Sequence, residues 1–415
     1  MRAIVIGGGI VGLSSAWFLQ TSGWQVTVVD RNDFGDNCSY GNAGYVCPSH
    51  FIPLATPGII RQGLKWMWNS ESPFYVEPRL SWPLLRWAWL FAKNATAERV
   101  TAAAVPLRDI ALFSQQTYHE WSSLPGMEMA YEKKGLLEYF QTSEKEAHAH
   151  HVREDALRLG IRAEMLTREA VQAMEPQTTL NIKGALYFPD DAHLYPNKLM
   201  HSLRSALAGL GVTFKGNEIV KGFSMDQQQI RQVVTTRHRY DAEAVVLAAG
   251  AWSSDLVRQL GLSLPMVGGR GYSLTLENSS NNLNHPAVLM EGRVALTPMD
   301  GNKIRFGGTM EITNTTRAPR MKRVKGIIHA VERYLPDFQI PFPAPDKIWY
   351  GFRPCSADGL PYIGRSSKAR NLVIATGHAM IGLSLGAGTG RLVSELLNEQ
   401  QPSVNLRPYD PERFG

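Results

Sequence analysis

The chain opens on a short apolar run, Ala3 to Ile6, of the kind that suits a buried parallel strand. Apolar and small residues from Ile10 to Gln20 then predict a helix, and Gln25 to Asp30, ending VTVVD, predicts a second strand. Together these read as one βαβ unit. Asn32 to Pro57 is rich in Gly, Asn, Ser and Pro and reads as an extended loop. Further helices are predicted over Ala97 to Ser122 (in spite of Pro106), Ser143 to Leu159, Asn197 to Leu210, Val324 to Tyr334 and Gly382 to Leu397. Strands are predicted near Gly135 to Phe140, Gly184 to Phe188, Val212 to Phe214, Gln229 to Thr235, Ala244 to Ala249, Tyr272 to Glu277, Arg305 to Thr309 and Leu372 to Thr376. Nucleotide-type βαβ signals thus stand at both ends of the chain around a strand-rich middle. That pattern predicts an α/β protein whose dinucleotide unit is assembled from separated segments, with a second unit inserted between them.

Composition narrows the picture. The 415 residues are 44% hydrophobic and carry 80 charges, enough apolar chain for a large core and too little net charge for disorder. Three scattered cysteines, Cys38, Cys47 and Cys355, exclude a disulfide scaffold, fit a reducing compartment, and lack the spacing of a metal site. We therefore expect no metal. Forty-three basic residues against 37 acidic give a net charge of +6. That permits attraction to anionic surfaces without demanding it. The densest basic run, Arg317 to Lys325, reads as a solvated helix start or as a docking face for lipid head groups or an acidic partner. Nucleic acid is not expected, since no zinc-finger, RNP-like or basic-zipper pattern appears. The apolar stretch Trp82 to Ala92 is too short to span a bilayer and is interrupted by Arg86. The N-terminal apolar run is not read as a signal peptide, because the glycine spacing lies inside it and no cleavage pattern follows.

The chemistry begins at IVIGGGIVG. Gly7, Gly9 and Gly12 form G-x-G-x-x-G directly after a strand and at the mouth of a helix. The first glycine permits a tight turn, the second close approach of a pyrophosphate, the third close packing of helix on strand. The helix start offers unpaired N–H groups and a positive dipole end to the phosphates. Asp30, eighteen residues past Gly12, ends the second strand, where a carboxylate can accept ribose hydroxyls. This unit suits either NAD or FAD. The run Glu243 to Ser254 is a buried strand ending in small residues that allow a ligand past the backbone. At the other end of the chain, the turn into the helix at Gly382 to Ser384 aims N–H groups where they can stabilise negative charge on a reduced flavin.

Seven segments in order resemble the glycine/D-amino-acid oxidase superfamily of FAD enzymes, and within it the bacterial D-amino-acid dehydrogenases. They are IVIGGGIVG, CSYGNAGYV, NEIVKGF, VVLAAGAWSS, GGRGYSLTL, GFRPCSADGLPYIG and ATGHAMIGLSLG. The resemblance covers nearly the whole chain. It implies a Rossmann-type, glutathione-reductase-like FAD-binding domain (residues 1–92, 184–264 and 347–415) with an inserted, mostly antiparallel substrate domain (93–183 and 265–346). It implies Ile10 and Val11 under the pyrophosphate, and Asp30 and Arg31 beside the adenosine ribose. Ser39, Asn42, Ala43, Gly44 and Tyr45 would wrap the pyrophosphate and reach the flavin edge, the Val220 backbone would meet the adenine, and Gly250 and Trp252 would border the cofactor. Gly377, His378, Ala379, Ile381, Gly382, Leu383 and Ser384 would cradle the flavin ring. By the same resemblance Arg353 grips the substrate carboxylate, the Met380 carbonyl takes the amine, and Tyr272 lies in the pocket over the ring. Arg270 stands where the dehydrogenases often have Lys, and no flavin-linking cysteine is matched, so non-covalent FAD is expected.

The implied reaction is dehydrogenation of a small D-amino acid or cyclic imino acid, D-proline and hydroxy-D-proline included. A glycine- or sarcosine-type oxidase using oxygen is the alternative, with an RNA-modifying flavoenzyme and a non-catalytic nucleotide binder behind it. His50, in the loop after the flavin segment, is a candidate contact to a substrate hydroxyl. His378 reads as a fixed hydrogen-bonder and His193 as structural. Dehydrogenase relatives pass electrons to a quinone or respiratory chain. Trp66, Trp68, Trp82, Trp87 and Trp89 read as a helical cover over the substrate entrance and a candidate membrane contact, which gives a cytoplasmic protein, peripheral to the inner membrane. The sequence leaves the oligomeric state open.

Overall fold

Strand Arg2–Ile6 is bonded in parallel to Gln25–Val29 on one side and to Ala244–Leu247 on the other. In this computed structural model, which describes residues 1–67 and 71–415, these strands centre a six-stranded sheet. Thr213–Lys215 adds to one edge, and Leu372–Thr376 followed by antiparallel Tyr362–Arg365 to the other. Both faces are covered, which is why its strands are apolar throughout. Ala3 and Val5 pack on one face with the helices Ile10–Thr21 and Gly382–Leu397. Ile4 and Ile6 pack on the other with the three-stranded meander Val220–Asp226, Gln229–Thr235 and Arg239–Asp241.

The two helices approach with almost no side chain between them. A Cβ at Gly390 would lie 2.4 Å from the Ser14 carbonyl carbon, and one at Gly386 would lie 2.8 Å from Ile10. This contact brings the starts of both helices to the carboxyl end of the parallel strands, where open α/β sheets bind their ligands.

The second sheet is larger. Its order is Trp349–Ser356, Met266–Leu276, Lys303–Ile312, Val294–Met299, Ala287–Leu289, Leu136–Phe140, Gly184–Phe188 and Glu164–Thr167, with Phe74–Val76 paired to Lys303–Ile312. Pairing is antiparallel except for Ala287–Leu289 on Leu136–Phe140 and Phe74–Val76 on Lys303–Ile312. One face packs on the helix Met321–Tyr334.

Helices Ala97–Ser122 and Gly382–Leu397 and strands Gly184–Phe188, Gln229–Thr235 and Leu372–Thr376 have the bounds expected from the pattern. The helix Ala97–Ser122 runs through Pro106. Strands Phe74–Val76, Gly184–Phe188 and Trp349–Ser356 all pair in the large sheet, although the sequence division assigns their segments to the cofactor unit. An apolar run marks a strand but not the sheet that strand joins. Of Met266–Leu276 only the part from Tyr272 was expected, because Gly268, Gly269 and Gly271 lower strand propensity, and of Lys303–Ile312 only the middle, Arg305 to Thr309. No described helix is long and apolar enough to cross a membrane.

Gly390→Val drives a branched side chain into the Ser14 backbone and should destabilise the protein by at least about 3 kcal/mol, the upper range of core overpacking. The urea unfolding midpoint reads this directly, and an unchanged midpoint would mean the helices do not pack this closely.

Candidate active site

The first glycine turn is built as the spacing demands. Gly7 has φ +111, and a Cβ there would meet the Ala248 carbonyl at 2.4 Å. A Cβ at Gly12 would lie 1.9 Å from the Gly7 carbonyl oxygen, so the helix can begin this close to the strand only with glycine at both ends. At Gly9, by contrast, a Cβ would meet only Ser39 Oγ, at 3.5 Å, and otherwise point into open space. Ser39 Oγ accepts the Ile10 N–H at 3.0 Å, while the Val11 N–H finds no acceptor among the described residues. The Asp30 carboxylate accepts the Gly8 N–H at 2.6 Å and the Asn32 N–H at 2.8 Å. Arg31 stacks its guanidinium 4.6 Å over the Trp252 ring.

From this turn a cavity of about 1450 Å³ runs between the six-stranded sheet and the large sheet. Gly7, Gly9, Ile10, Val11, Asp30, Arg31, Ser39, Asn42, Ala43, Tyr45, Val220, Gly250 and Trp252 all border it. So do His378, Ala379, Met380, Ile381, Gly382, Leu383 and Ser384 from the last turn, and His50, Tyr272 and Arg353. Three of the expected residues do not: Gly12, Gly44 and Gly377 act behind the wall. Gly44 and Gly377 have φ +87 and +82, and a Cβ would strike Leu194 and Tyr362 respectively.

The last turn is held by side chains. The Asn42 amide donates to the Met380 carbonyl at 3.4 Å, and the Cys47 N–H donates to Ser384 Oγ at 3.0 Å. His378 Nε2 lies 3.0 Å from Thr389 Oγ1, and burial pulls its pKa down to about 3. His50 is likewise pulled down by burial to about 4. Both rings are therefore neutral at physiological pH and can orient a ligand without adding charge.

On the sheet side Arg353 is the salient group. Its guanidinium lies over Gly271, where a Cβ would be 2.3 Å from Cζ, and it donates to the Thr309 carbonyl. Among the described residues it has no carboxylate partner, and burial pulls its pKa below the ordinary value. Arg270, one strand over, is the opposite case. It is fully buried, donates to the Ala318 and Arg317 carbonyls, lies 3.6 Å from Glu311, and stacks on Phe352 at 5.0 Å.

Tyr272 lies in the cavity wall with its hydroxyl already engaged. Its ring borders the cavity, and its hydroxyl donates to Glu311 at 2.8 Å and accepts the Arg320 N–H at 2.8 Å. Tyr45 is similar: its hydroxyl lies 2.6 Å from the Ala287 carbonyl and 3.0 Å from that of Leu296. The basic run near Arg317 joins the same network. Arg317 and Arg320 pair with Glu77, Arg320 also with Glu311 at 2.9 Å, and Arg323 donates to Ser72. These three arginines brace the fold. Of the tryptophans, Trp87 is core and donates to the Cys355 carbonyl, Trp82 and Trp89 are exposed, and Trp68 lies outside the described residues. Sequence reasoning missed Glu138, His148, Arg293 and Trp349 in the cavity wall. An acid inside the apolar run LLEYF (Leu136–Phe140) was the available signal for Glu138.

A glycine-lined phosphate turn, a second helix start facing it and a cavity between two sheets define a dinucleotide-dependent enzyme. The chain belongs to the DAO family of FAD dependent oxidoreductases, which it matches over residues 2–396. It is 31% identical to a D-amino acid dehydrogenase of Rhizobium johnstonii and 32% identical to one of Vibrio vulnificus strain YJ016, each over 100% of both chains. Its fold is similar to the crystal structures of glycine oxidase from Geobacillus kaustophilus (TM-score 0.76, 24% identity, 99% of each chain) and of L-proline dehydrogenase from P. horikoshii (TM-score 0.75, 18% identity, 100% of this chain and 97% of that one). The protein is therefore an FAD-dependent oxidoreductase. The open face of Gly9, the unpaired Val11 N–H and the helix start at Gly382 fit the cofactor's phosphates and ring.

Gly9→Val places its branches in the open face without touching the core. The variant should fold, keep the thermal stability of the wild-type apoprotein, and bind FAD at least about tenfold more weakly through loss of backbone approach to the pyrophosphate. Flavin absorbance per mole of purified protein measures it, and a fully yellow variant would contradict the assignment of this turn.

Proposed function

We propose that the enzyme oxidises a small D-amino acid or cyclic imino acid at its Cα–N bond, giving the imine, with D-proline and hydroxy-D-proline within the class. One observation carries this reading: a half-buried guanidinium, Arg353, faces the cavity with a single carbonyl for a partner. A cation desolvated in this way calls for an anionic ligand, and a guanidinium fork suits a carboxylate held by two hydrogen bonds. FAD, when bound, supplies the acceptor for the hydride that leaves Cα. The chain's own part is orientation. Arg353 holds the carboxylate. The Met380 carbonyl, steadied by Asn42, accepts a hydrogen bond from the substrate nitrogen. With carboxylate and nitrogen both fixed, only one direction remains for the Cα–H bond. His50 and His378, their pKa values pulled down by burial to about 4 and about 3, are poor proton acceptors, so the amine's proton is shed to water before or as the substrate enters. The cofactor is held without a covalent bond in this reading, since burial raises the Cys38 and Cys355 thiols to about 11 and about 12 and keeps them poor nucleophiles.

We infer further that the electrons leave to a quinone at an anionic membrane surface. The helices Ile59–Met67 and Trp82–Asn94 present Leu64, Trp82, Leu85 and Trp89 to the outside, each at least half exposed. Arg61, Lys65 and Lys93 lie on the same two helices, which carry no acidic residue. Ile60, Leu64 and Leu85 also border the cavity, so the exposed apolar face frames its entrance. Aromatic and basic residues of this kind suit the interface of an anionic bilayer.

Two measurements test this reading. Arg353→Ala, FAD-loaded, should lose at least about a hundredfold in kcat/KM for anaerobic flavin bleaching by D-amino acids, near 3 kcal/mol for a truncated buried charge pair, with its flavin spectrum intact. Equal bleaching by wild type and variant would refute the carboxylate role. The wild type should co-sediment with vesicles containing phosphatidylglycerol, and the triple variant L64E/L85E/W89E should not. Equal sedimentation of the two proteins, or rapid turnover with oxygen and none with a soluble quinone, would refute the membrane reading.

A further inference from the structure

Directly opposed residues of neighbouring strands project from the same face of a sheet. In the large sheet Gly307 is opposite Ala295, Ala295 opposite Val288, and Val288 opposite Glu138. All four border the cavity. Three are small or apolar and form a smooth floor, and the fourth ends it with a carboxyl group. No described residue gives Glu138 a hydrogen bond or an ion pair, and its side chain is open to the cavity. Its neighbours do not supply a donor. The Tyr45 hydroxyl is directed at two backbone carbonyls, and Asp191, a second buried acid, takes its hydrogen bonds from Ser49. Burial and the nearby Asp191 push Glu138 up to about 7. A carboxyl group withdrawn from water and left without a partner is costly unless a ligand completes it.

We propose that Glu138 is a specificity-determining residue that accepts a hydrogen bond from a donor on the substrate remote from its carboxylate, either a ring hydroxyl or a side-chain amine. This rests on the reading of Arg353 as the carboxylate anchor. Arg353 touches Thr309, two residues from Gly307 on the same strand, and Glu138 stands three strands away, about 14 Å between backbones. The Arg353 guanidinium already stands at the Thr309 carbonyl, two residues further along that strand, so only the reach of Glu138 shortens the gap, to roughly 11 Å between the two polar groups. An amino-acid-sized molecule with an acid at one end and a donor at the other spans such a gap. His50, neutral and bordering the same space, can add a second contact to a hydroxyl.

The test uses the FAD-loaded enzyme and two matched pairs: D-proline with cis-4-hydroxy-D-proline, and D-norleucine with D-lysine. The wild type should favour the donor-bearing member of one pair by at least about tenfold in kcat/KM, as sites built to bond a substrate group do. Glu138→Leu should abolish that preference while leaving the donor-free member within about threefold of wild type. Glu138→Gln, which keeps an acceptor but no charge, should retain a hydroxyl preference and lose an amine preference, which distinguishes the two ligands. Glu138→Ala repeats the truncation if the leucine variant does not fold. No preference in the wild type, or the same preference in the truncated variants, overturns the proposal and leaves the Arg353 reading standing. Failure of all four compounds to bleach the wild-type flavin overturns both.

Discussion

A guanidinium without an acid is the constraint around which the site is arranged. Arg353 is carried on an inner face of the large sheet, and the strand beside it must be glycine at 271 to leave room for it. The same strand shifts register between Arg270 and Tyr272, which turns Tyr272 towards Glu311. Arg270, Arg320 and Tyr272 thereby gather around the Glu311 carboxylate. Glu311 is thus unable to neutralise Arg353, and the free charge remains for a ligand. Two arginines on adjacent strands have opposite fates: one is locked into the fold, the other is left available.

The opposite wall depends on a different close approach. Gly386 and Gly390 let the last helix lie against the first, so the two helix starts meet at the end of the parallel sheet. Their dipole ends and free N–H groups face one cavity, where a dinucleotide's phosphates and an electron-rich ring both gain from them. In the proposed reading the carboxylate anchor stands on the large sheet, and the phosphate turn and the Met380 carbonyl stand at the end of the six-stranded one. The cavity between them is bordered by both walls.

Much of this was legible in the chain. The βαβ start, the terminal helix and the long helix through Pro106 follow from apolar periodicity and glycine punctuation, which are local signals. Nearly every expected site residue borders the cavity for the same reason, since each lies in a short segment whose backbone shape is locally encoded. What the chain hides is partnership across distant segments. The hydroxyls of Tyr272 and Tyr45 are engaged by Glu311 and by backbone carbonyls, none of them near in sequence. Arg320 and Arg323 look like part of a solvated basic run until Glu77 and Glu311 meet the first and Ser72 the second, while Arg317 pairs with Glu77 and stays largely exposed. Gly268, Gly269 and Gly271 masked the first half of Met266–Leu276, because the feature that makes room beside Arg353 is the one that weakens the strand signal.

The central claim is most directly tested by a crystal structure of the FAD-loaded enzyme with a carboxylate that cannot be oxidised, such as pyrrole-2-carboxylate. The account predicts both carboxylate oxygens within about 3 Å of the Arg353 guanidinium, with the ring nitrogen directed to the Met380 carbonyl. A ligand bound elsewhere in the cavity, with Arg353 still bonded to Thr309 alone, would contradict it.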